Sequence, residues 1–180
     1  RAARPLEAEL VGNPALAGDH VRLHGLAFGP HNLGLVEGSE CWIVRCAFEG
    51  PSADIRIRPA APGCRIWHCA MTGQSRMIAF DTGRRGIRGH VKGCWFHDVA
   101  PGGKNSTETI TVGFAAARTD VESDTLIEQC LFESCNLGGR EDETIAIKSS
   151  KVTVRNCTFR RTRFCQVRHG TGNLIERCVH

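Results

Sequence analysis

The sequence predicts an all-β protein built as a parallel β-helix, a solenoid of about seven coils. Short apolar and β-branched runs recur along the 180 residues, separated by turn-forming Gly, Asn, Asp and Ser, and long helical patterns are missing. One motif also returns every 20–27 residues in all but one of its steps. These observations favour one domain over 1–180, with 1–19 as an irregular or first-coil segment. Because the motif stops in mid-pattern, we expect this domain to be truncated at its C-terminal end.

Each copy of the motif contains two or three apolar residues, a polar pair, a Cys, any residue and a Phe, with small variations. The copies are VRLHGLAF (21–28), WIVRCAF (42–48), RIWHCAM (65–71), HVKGCWF (90–96), LIEQCLF (126–132), VTVRNCTF (152–159) and NLIERCVH (173–180). Further strand-like pieces such as MIAF and TITV lie between them. Two to three short strands per turn fit a parallel β-helix better than a leucine-rich repeat, which needs its own Leu/Asn consensus.

Six of the ten cysteines occupy one position of this motif. That position holds Leu26 and then the residues that we call the cysteine ladder: Cys46, Cys69, Cys94, Cys130, Cys157 and Cys178. Equivalent side chains of successive coils stack ~4.8 Å apart, so we expect a buried column of reduced thiols. Some disulfide pairing is the second interpretation, and a zinc site is the third, because no CxxC pair occurs.

Three segments align strand on strand: ETITVG (108–113), ETIAIK (143–148) and RFCQVR (163–168). Ile110, Ile145 and Cys165 then share one inward position, because successive side chains of a strand point to opposite faces. The same alignment places Lys148 beside Arg168, one coil apart on the outer face. Two adjacent cations gain nothing for the fold. A solvated basic face is the ordinary interpretation, and a functional site is the alternative.

Acidic residues precede the strand that ends in Lys148. Strict alternation would turn Glu143 inward, so we expect a bend that turns Glu143 and Glu141 outward. Asn105 precedes the corresponding strand of the previous coil. Two carboxylates and an amide oxygen from adjoining coils could hold a hard cation, and oxygen ligands favour Ca²⁺. A solvated turn is the alternative interpretation of these acids.

The order of these motifs resembles polysaccharide lyase family 6, which contains alginate lyases and the dermatan-sulfate-cleaving chondroitinase B. The matching pieces are NSTETITVG (105–113), EDETIAIKS (141–149) and VRHG (167–170). The resemblance covers residues 20–180, most clearly 105–180, and implies a right-handed, single-stranded parallel β-helix. The chain departs from the family pattern at Thr111, where the family often has Arg.

The resemblance also implies roles for individual residues. Lys148 matches the general base, and Arg168 matches the general acid. The calcium ligands are matched by Asn105, Glu141 and Glu143, and a substrate-contacting histidine is matched by His169. We also expect Glu108, within the first motif, and Arg163, beside the site, to contact the substrate.

The predicted function is therefore calcium-assisted β-elimination of an anionic uronate polymer, alginate first and dermatan or chondroitin sulfate next. A non-catalytic β-helix that binds carbohydrate, has a structural role or is an inactive fragment is one alternative, and a uronate epimerase is another. The formal charge of +4 suits an anionic partner without identifying one. No run of 18 apolar residues and no nucleic-acid-binding motif is present, so we expect no membrane or nucleic-acid partners. In keeping with the resemblance, we expect a secreted or periplasmic protein that is a monomer.

Overall fold

The computed structural model describes residues 15–29, 34–50, 55–57, 61–74, 76–82, 86–101, 108–113, 121–137 and 143–180. These residues form twenty short β-strands and no helix. Accordingly, no helix in the described ranges is long and apolar enough to cross a membrane. Residues 1–14 of the expected first segment lie outside these ranges, whereas Ala15–Leu16 is already a strand.

The strands form three parallel sheets, in which every third strand of the chain stacks on the one before it. Sheet A contains β1 (Ala15–Leu16), β4 (Leu35–Val36), β7 (Ile55–Ile57), β10 (Ile78–Phe80), β13 (Ile110–Val112), β16 (Ile145–Lys148) and β19 (Cys165–His169). Sheet B contains β2 (Arg22–His24), β5 (Trp42–Val44), β8 (Arg65–Trp67), β11 (His90–Lys92), β14 (Leu126–Glu128), β17 (Thr153–Arg155) and β20 (Leu174–Glu176). Sheet C contains β3 (Ala27–Phe28), β6 (Ala47–Gly50), β9 (Ala70–Gln74), β12 (Trp95–Ala100), β15 (Leu131–Glu133) and β18 (Thr158–Arg160).

This arrangement is a right-handed parallel β-helix, as predicted. One coil consists of a strand from sheet A, a strand from sheet B and a strand from sheet C. The repeated motif covers the last two of these strands and the tight turn between them. The number of coils in the whole chain stays a prediction.

The cysteine ladder lies inside the helix, at the turn between sheets B and C. Cys46, Cys69, Cys94, Cys130 and Cys157 are buried, and Cys178 is partly buried in the last coil. All ten cysteines of the chain are free thiols. Burial raises the pKa of the Cys64 thiol to about 12 and that of Cys135 to about 11, which keeps these groups protonated and unreactive near neutral pH.

Phenylalanines form a second internal column, along sheet C. The rings of Phe96 and Phe132 stack with centroids 4.8 Å apart, and Phe132 stacks on Phe159 at 4.9 Å. Phe28 and Phe48 make the same contact near the other end, at 4.6 Å. The Cys-x-Phe part of the motif thus supplies two columns of the core, because both side chains face inward in the copies that carry it, and the buried Met71 takes the Phe position in one coil.

Candidate active site

The candidate active site lies on the outer face of sheet A, on its last three strands. Ile110 pairs with Ile145, and Ile145 pairs with Cys165, so the predicted alignment of β13, β16 and β19 is confirmed. Both isoleucines are fully buried in the core. The outer face of the same strands carries the charged residues that the sequence singles out.

Lys148 ends β16, and its partner in β19 is His169, not Arg168. The predicted pairing of Lys148 with Arg168 is therefore wrong by one residue. The cause is an irregularity after Ile147, where β19 advances two residues while β16 advances one. An extra residue of this kind re-aims the side chains that follow it. Arg168 stays near the site, but it faces a different partner.

Lys148 contacts a buried carboxylate of the previous coil. Its Nζ donates a hydrogen bond of 2.8 Å to Oε1 of Glu108, and the two residues are only 7% and 1% exposed. Burial alone would raise the pKa of Glu108, but the hydrogen bond from Lys148 and the nearby positive charges lower it below its ordinary value. Glu108 thus contacts the expected base in this structure, and its expected contact with substrate stays a prediction.

Arg168 contacts Glu143 in a similar way. Its Nη2 lies 2.5 Å from Oε1 of Glu143, which is 8% exposed and sits just before β16. The backbone bends at Thr144, and the Thr144 hydroxyl lies 2.7 Å from the Thr162 hydroxyl and 2.6 Å from the backbone oxygen of Arg163. The bend predicted beside Glu143 is present, and the Glu143 carboxylate meets a cation of the same outer face. Its predicted effect on Glu141 falls outside the described residues.

The remaining predicted residues differ in how much the structure says about them. Asn105 and Glu141 lie outside the described residues. His169 and Arg163 are exposed, one at the end of β19 and the other two residues before it. In the described part of the chain, no three His, Cys, Asp or Glu side chains form a group that could hold a metal ion.

Arg76 is a charged neighbour of the site that sequence reasoning missed. Its Nη2 lies 3.7 Å from Oε2 of Glu108, on the side opposite to Lys148. Arg76 precedes Ile78 by two residues, as Glu108 precedes Ile110, and these isoleucines pair in β10 and β13. Extending the strand alignment by one more coil would have found it.

Two cation–carboxylate pairs thus lie on the outer face of the last three strands of sheet A. A family model described as chondroitinase B matches residues 43–180. The chain belongs to the chondroitinase B family. The resemblance to polysaccharide lyase family 6 that the motifs indicate is thereby confirmed.

Solved structures similar to this chondroitinase B family chain include the PL6 family alginate lyase AlyGC, at 20% identity and a TM-score of 0.48. That similarity covers 91% of this chain and 30% of the lyase. A variant of AlyGC with one arginine replaced by alanine gives 19% identity, a TM-score of 0.49, and coverage of 97% and 32%. The chain therefore spans about a third of the length of these lyases. No curated protein matches it.

Proposed function

We propose that this protein cleaves an anionic uronate polymer by β-elimination, with Lys148 as the base and Arg168 at the leaving oxygen. The observation that carries the proposal is the joint position of these two cations. They lie at the C-terminal ends of the adjacent strands β16 and β19, and each contacts a buried carboxylate. Family membership supports the reaction class, because the matched model describes a chondroitinase.

The reaction requires two proton movements at one sugar ring. The base removes the C5 proton, the C5–H electrons form the C4=C5 double bond, and the C4–O4 bond breaks. Lys148 has to take the proton as a neutral amine, so its contact with the Glu108 carboxylate must loosen before or during this step. Arg168 would stabilise the departing O4, and this oxygen gains a proton from the arginine, from His169 or from water.

A calcium ion is part of the proposal. Glu143 offers buried carboxylate oxygens at the outer face, a donor type that suits a hard cation, and Glu141 and Asn105 would complete the set. Because Arg168 contacts Glu143, that ion pair would have to separate for metal to bind. When bound, Ca²⁺ supplies positive charge for the substrate carboxylate, on which negative charge builds during proton removal.

The substrate class follows from the chemistry of the site. A uronate supplies the carboxylate that makes its C5 proton acidic enough to leave, and alginate, dermatan sulfate and chondroitin sulfate all contain such sugars. We propose alginate first and the sulfated polymers second. We also propose a secreted or periplasmic monomer, in keeping with extracellular polymers as substrates.

The experiment incubates the protein with alginate and with dermatan sulfate, each with and without a calcium chelator. We expect ultraviolet absorbance from an unsaturated uronate, and its loss with the chelator. Lys148→Ala and Arg168→Ala should each lower kcat by about 100-fold or more. Lys151→Ala is the matched control, because Lys151 is an exposed lysine that pairs with Glu122 at 2.8 Å.

Other outcomes would identify the alternatives. Polymer binding without new absorbance would indicate a carbohydrate-binding module, and a changed sugar configuration without absorbance would indicate an epimerase. Full activity in Lys148→Ala would remove the assigned base even if the polymer were cleaved.

A further inference from the structure

Glu108 has an unusual environment for a residue near a substrate surface. It is 1% exposed, and its two carboxylate oxygens face two different cations. Oε1 accepts a hydrogen bond of 2.8 Å from Lys148, and Oε2 lies 3.7 Å from Arg76. A carboxylate this buried has no direct route to substrate, so its influence on the reaction would pass through Lys148.

The strand alignment explains why Glu108 meets Lys148. Glu108 lies two residues before β13, whereas Lys148 ends the neighbouring β16. The Lys148 side chain therefore runs diagonally back across one coil. The outward residues between them, Thr111 and Ala146, pair with each other and are both fully buried. The small Ala146 leaves room for a long side chain to lie flat against the sheet, and the carboxylate fixes where its amine ends.

Other charged or titratable residues lie on or beside the neighbouring strands of sheet A. The preceding coils contribute Glu108, Arg76 and Asp81, which directly follows β10. The same and the following coil contribute the charged or titratable groups Glu143, Arg163, Arg168 and His169. Among the contacts described for Lys148, Glu108 is the carboxylate at hydrogen-bond distance, which makes it the group with the largest direct effect on the amine.

We propose that Glu108 is a positioning residue for the Lys148 base: it fixes the place of the amine and sets the pH at which the amine becomes able to accept a proton. This inference rests on the proposed function. A carboxylate at hydrogen-bond distance stabilises the charged ammonium, so removing that carboxylate should extend elimination to lower pH. A purely structural ion pair would stabilise the fold and leave the pH dependence of kcat/KM unchanged, because the amine would then take no part in the reaction.

Lysine-selective carbon NMR tests the inference without relying on activity. The chain has four lysines, at positions 92, 104, 148 and 151, and a Lys148→Arg variant identifies the signal of Lys148. In Glu108→Gln, which keeps the shape and removes the charge, Lys148 should lose its proton about one pH unit lower than in the unchanged protein. The acidic limb of the kcat/KM profile should move in the same direction by a similar amount.

Glu128→Gln is the matched control. Glu128 is also a buried, ion-paired glutamate, but it lies on sheet B, where Arg155 donates to it at 2.8 Å. Its replacement should leave the Lys148 titration unchanged. If Glu108→Gln does not fold, Arg76→Gln should shift the Lys148 titration in the opposite direction. Without Arg76 the negative charge of Glu108 acts on Lys148 alone, and Lys148 should lose its proton at a higher pH.

The outcomes are distinct. An unchanged Lys148 titration in Glu108→Gln, or in Arg76→Gln where only that variant folds, would overturn the inference. An equal shift in Glu128→Gln would also overturn it, since the effect would then not be specific to this contact. A shift in the NMR titration with no shift in the kcat/KM profile would overturn the inference as well. Absence of polymer cleavage by the unchanged protein would contradict the proposed function instead.

Discussion

Glu128 is the most heavily paired carboxylate on sheet B. Arg155 donates to its Oε2 from Nε at 3.0 Å and from Nη2 at 2.8 Å, and His90 Nε2 and Lys92 Nζ lie 3.1 and 3.3 Å from its Oε1. Burial alone would raise the pKa of Glu128, but the hydrogen bonds from Arg155, His90 and Lys92 lower it to about 2. A carboxyl group with a lowered pKa stabilises the fold above its unfolded pKa and loses that contribution as the pH falls.

Glu128→Gln should therefore destabilise the protein in a pH-dependent way. At pH 7 we expect a loss of about 2 kcal/mol in the free energy of unfolding, because charged hydrogen bonds to a buried group disappear. The difference should shrink as the pH falls from the ordinary glutamate value of 4.5 towards about 2. Urea unfolding at several pH values measures it. A difference that stayed constant over this range would contradict the assigned cause. Glu133 pairs with the exposed Arg160 and Arg161, so Glu133→Gln should lower the free energy of unfolding by less than Glu128→Gln does.

The sequence predicts that Lys148, Arg168 and Glu143 share the outer face of sheet A, because strand periodicity fixes which residues share a face. Strand periodicity does not predict the one-residue irregularity that pairs Lys148 with His169. Nothing in the residue types of β19 marks such a shift, since an extra residue changes the spacing without changing the pattern. The contact between Lys148 and Glu108 is not predictable in this way either, because the reach of a long side chain depends on its rotamer.

At the scale of the element, the tight turn between sheets B and C is the most repeated feature. The residue before each ladder position has a positive φ in every coil: Gly25, Arg45, His68, Gly93, Gln129, Asn156 and Arg177. This left-handed conformation costs about 1–2 kcal/mol for a residue with a Cβ. The motif made the strands and the ladder predictable. It did not reveal this conformation, because several of the residues at this position, such as Arg45, Gln129 and Arg177, are not of the types that favour it.

Gln129→Gly should stabilise the protein. Gln129 has a φ of 57° and an exposed side chain, so its replacement relieves the strained turn without removing core contacts. We expect a gain of about 0.5–1 kcal/mol in the free energy of unfolding after the greater freedom of glycine in the unfolded chain is deducted. Thermal and urea unfolding measure it. Gly93→Ala should have the opposite effect, because a Cβ there would lie 2.6 Å from Nδ1 of His68. A loss of stability in Gln129→Gly would contradict this account.

At the scale of the whole molecule, the described strands of each coil pair only with strands of the coils before and after it. The sheets pair each strand with its neighbours in the stack, and the internal columns follow the same order. Stability in such a solenoid is close to a sum of coil terms and terms for neighbouring interfaces. A defect inside one coil should therefore weaken the interfaces on both of its sides, while distant coils keep theirs.

Phe132→Ala tests this property. Phe132 is fully buried on β15, and its ring lies between those of Phe96 and Phe159. Removing it should cost about 3–5 kcal/mol, because a large cavity opens in the core and both stacking contacts are lost. Hydrogen exchange should speed up most in β12, β15 and β18 and least in β3 and β6, which lie at the far end of sheet C. The control is Leu131→Ala, on the outward face of the same strand, which should cost less. Equal loss of protection in every strand would instead show that the coils unfold as one cooperative unit.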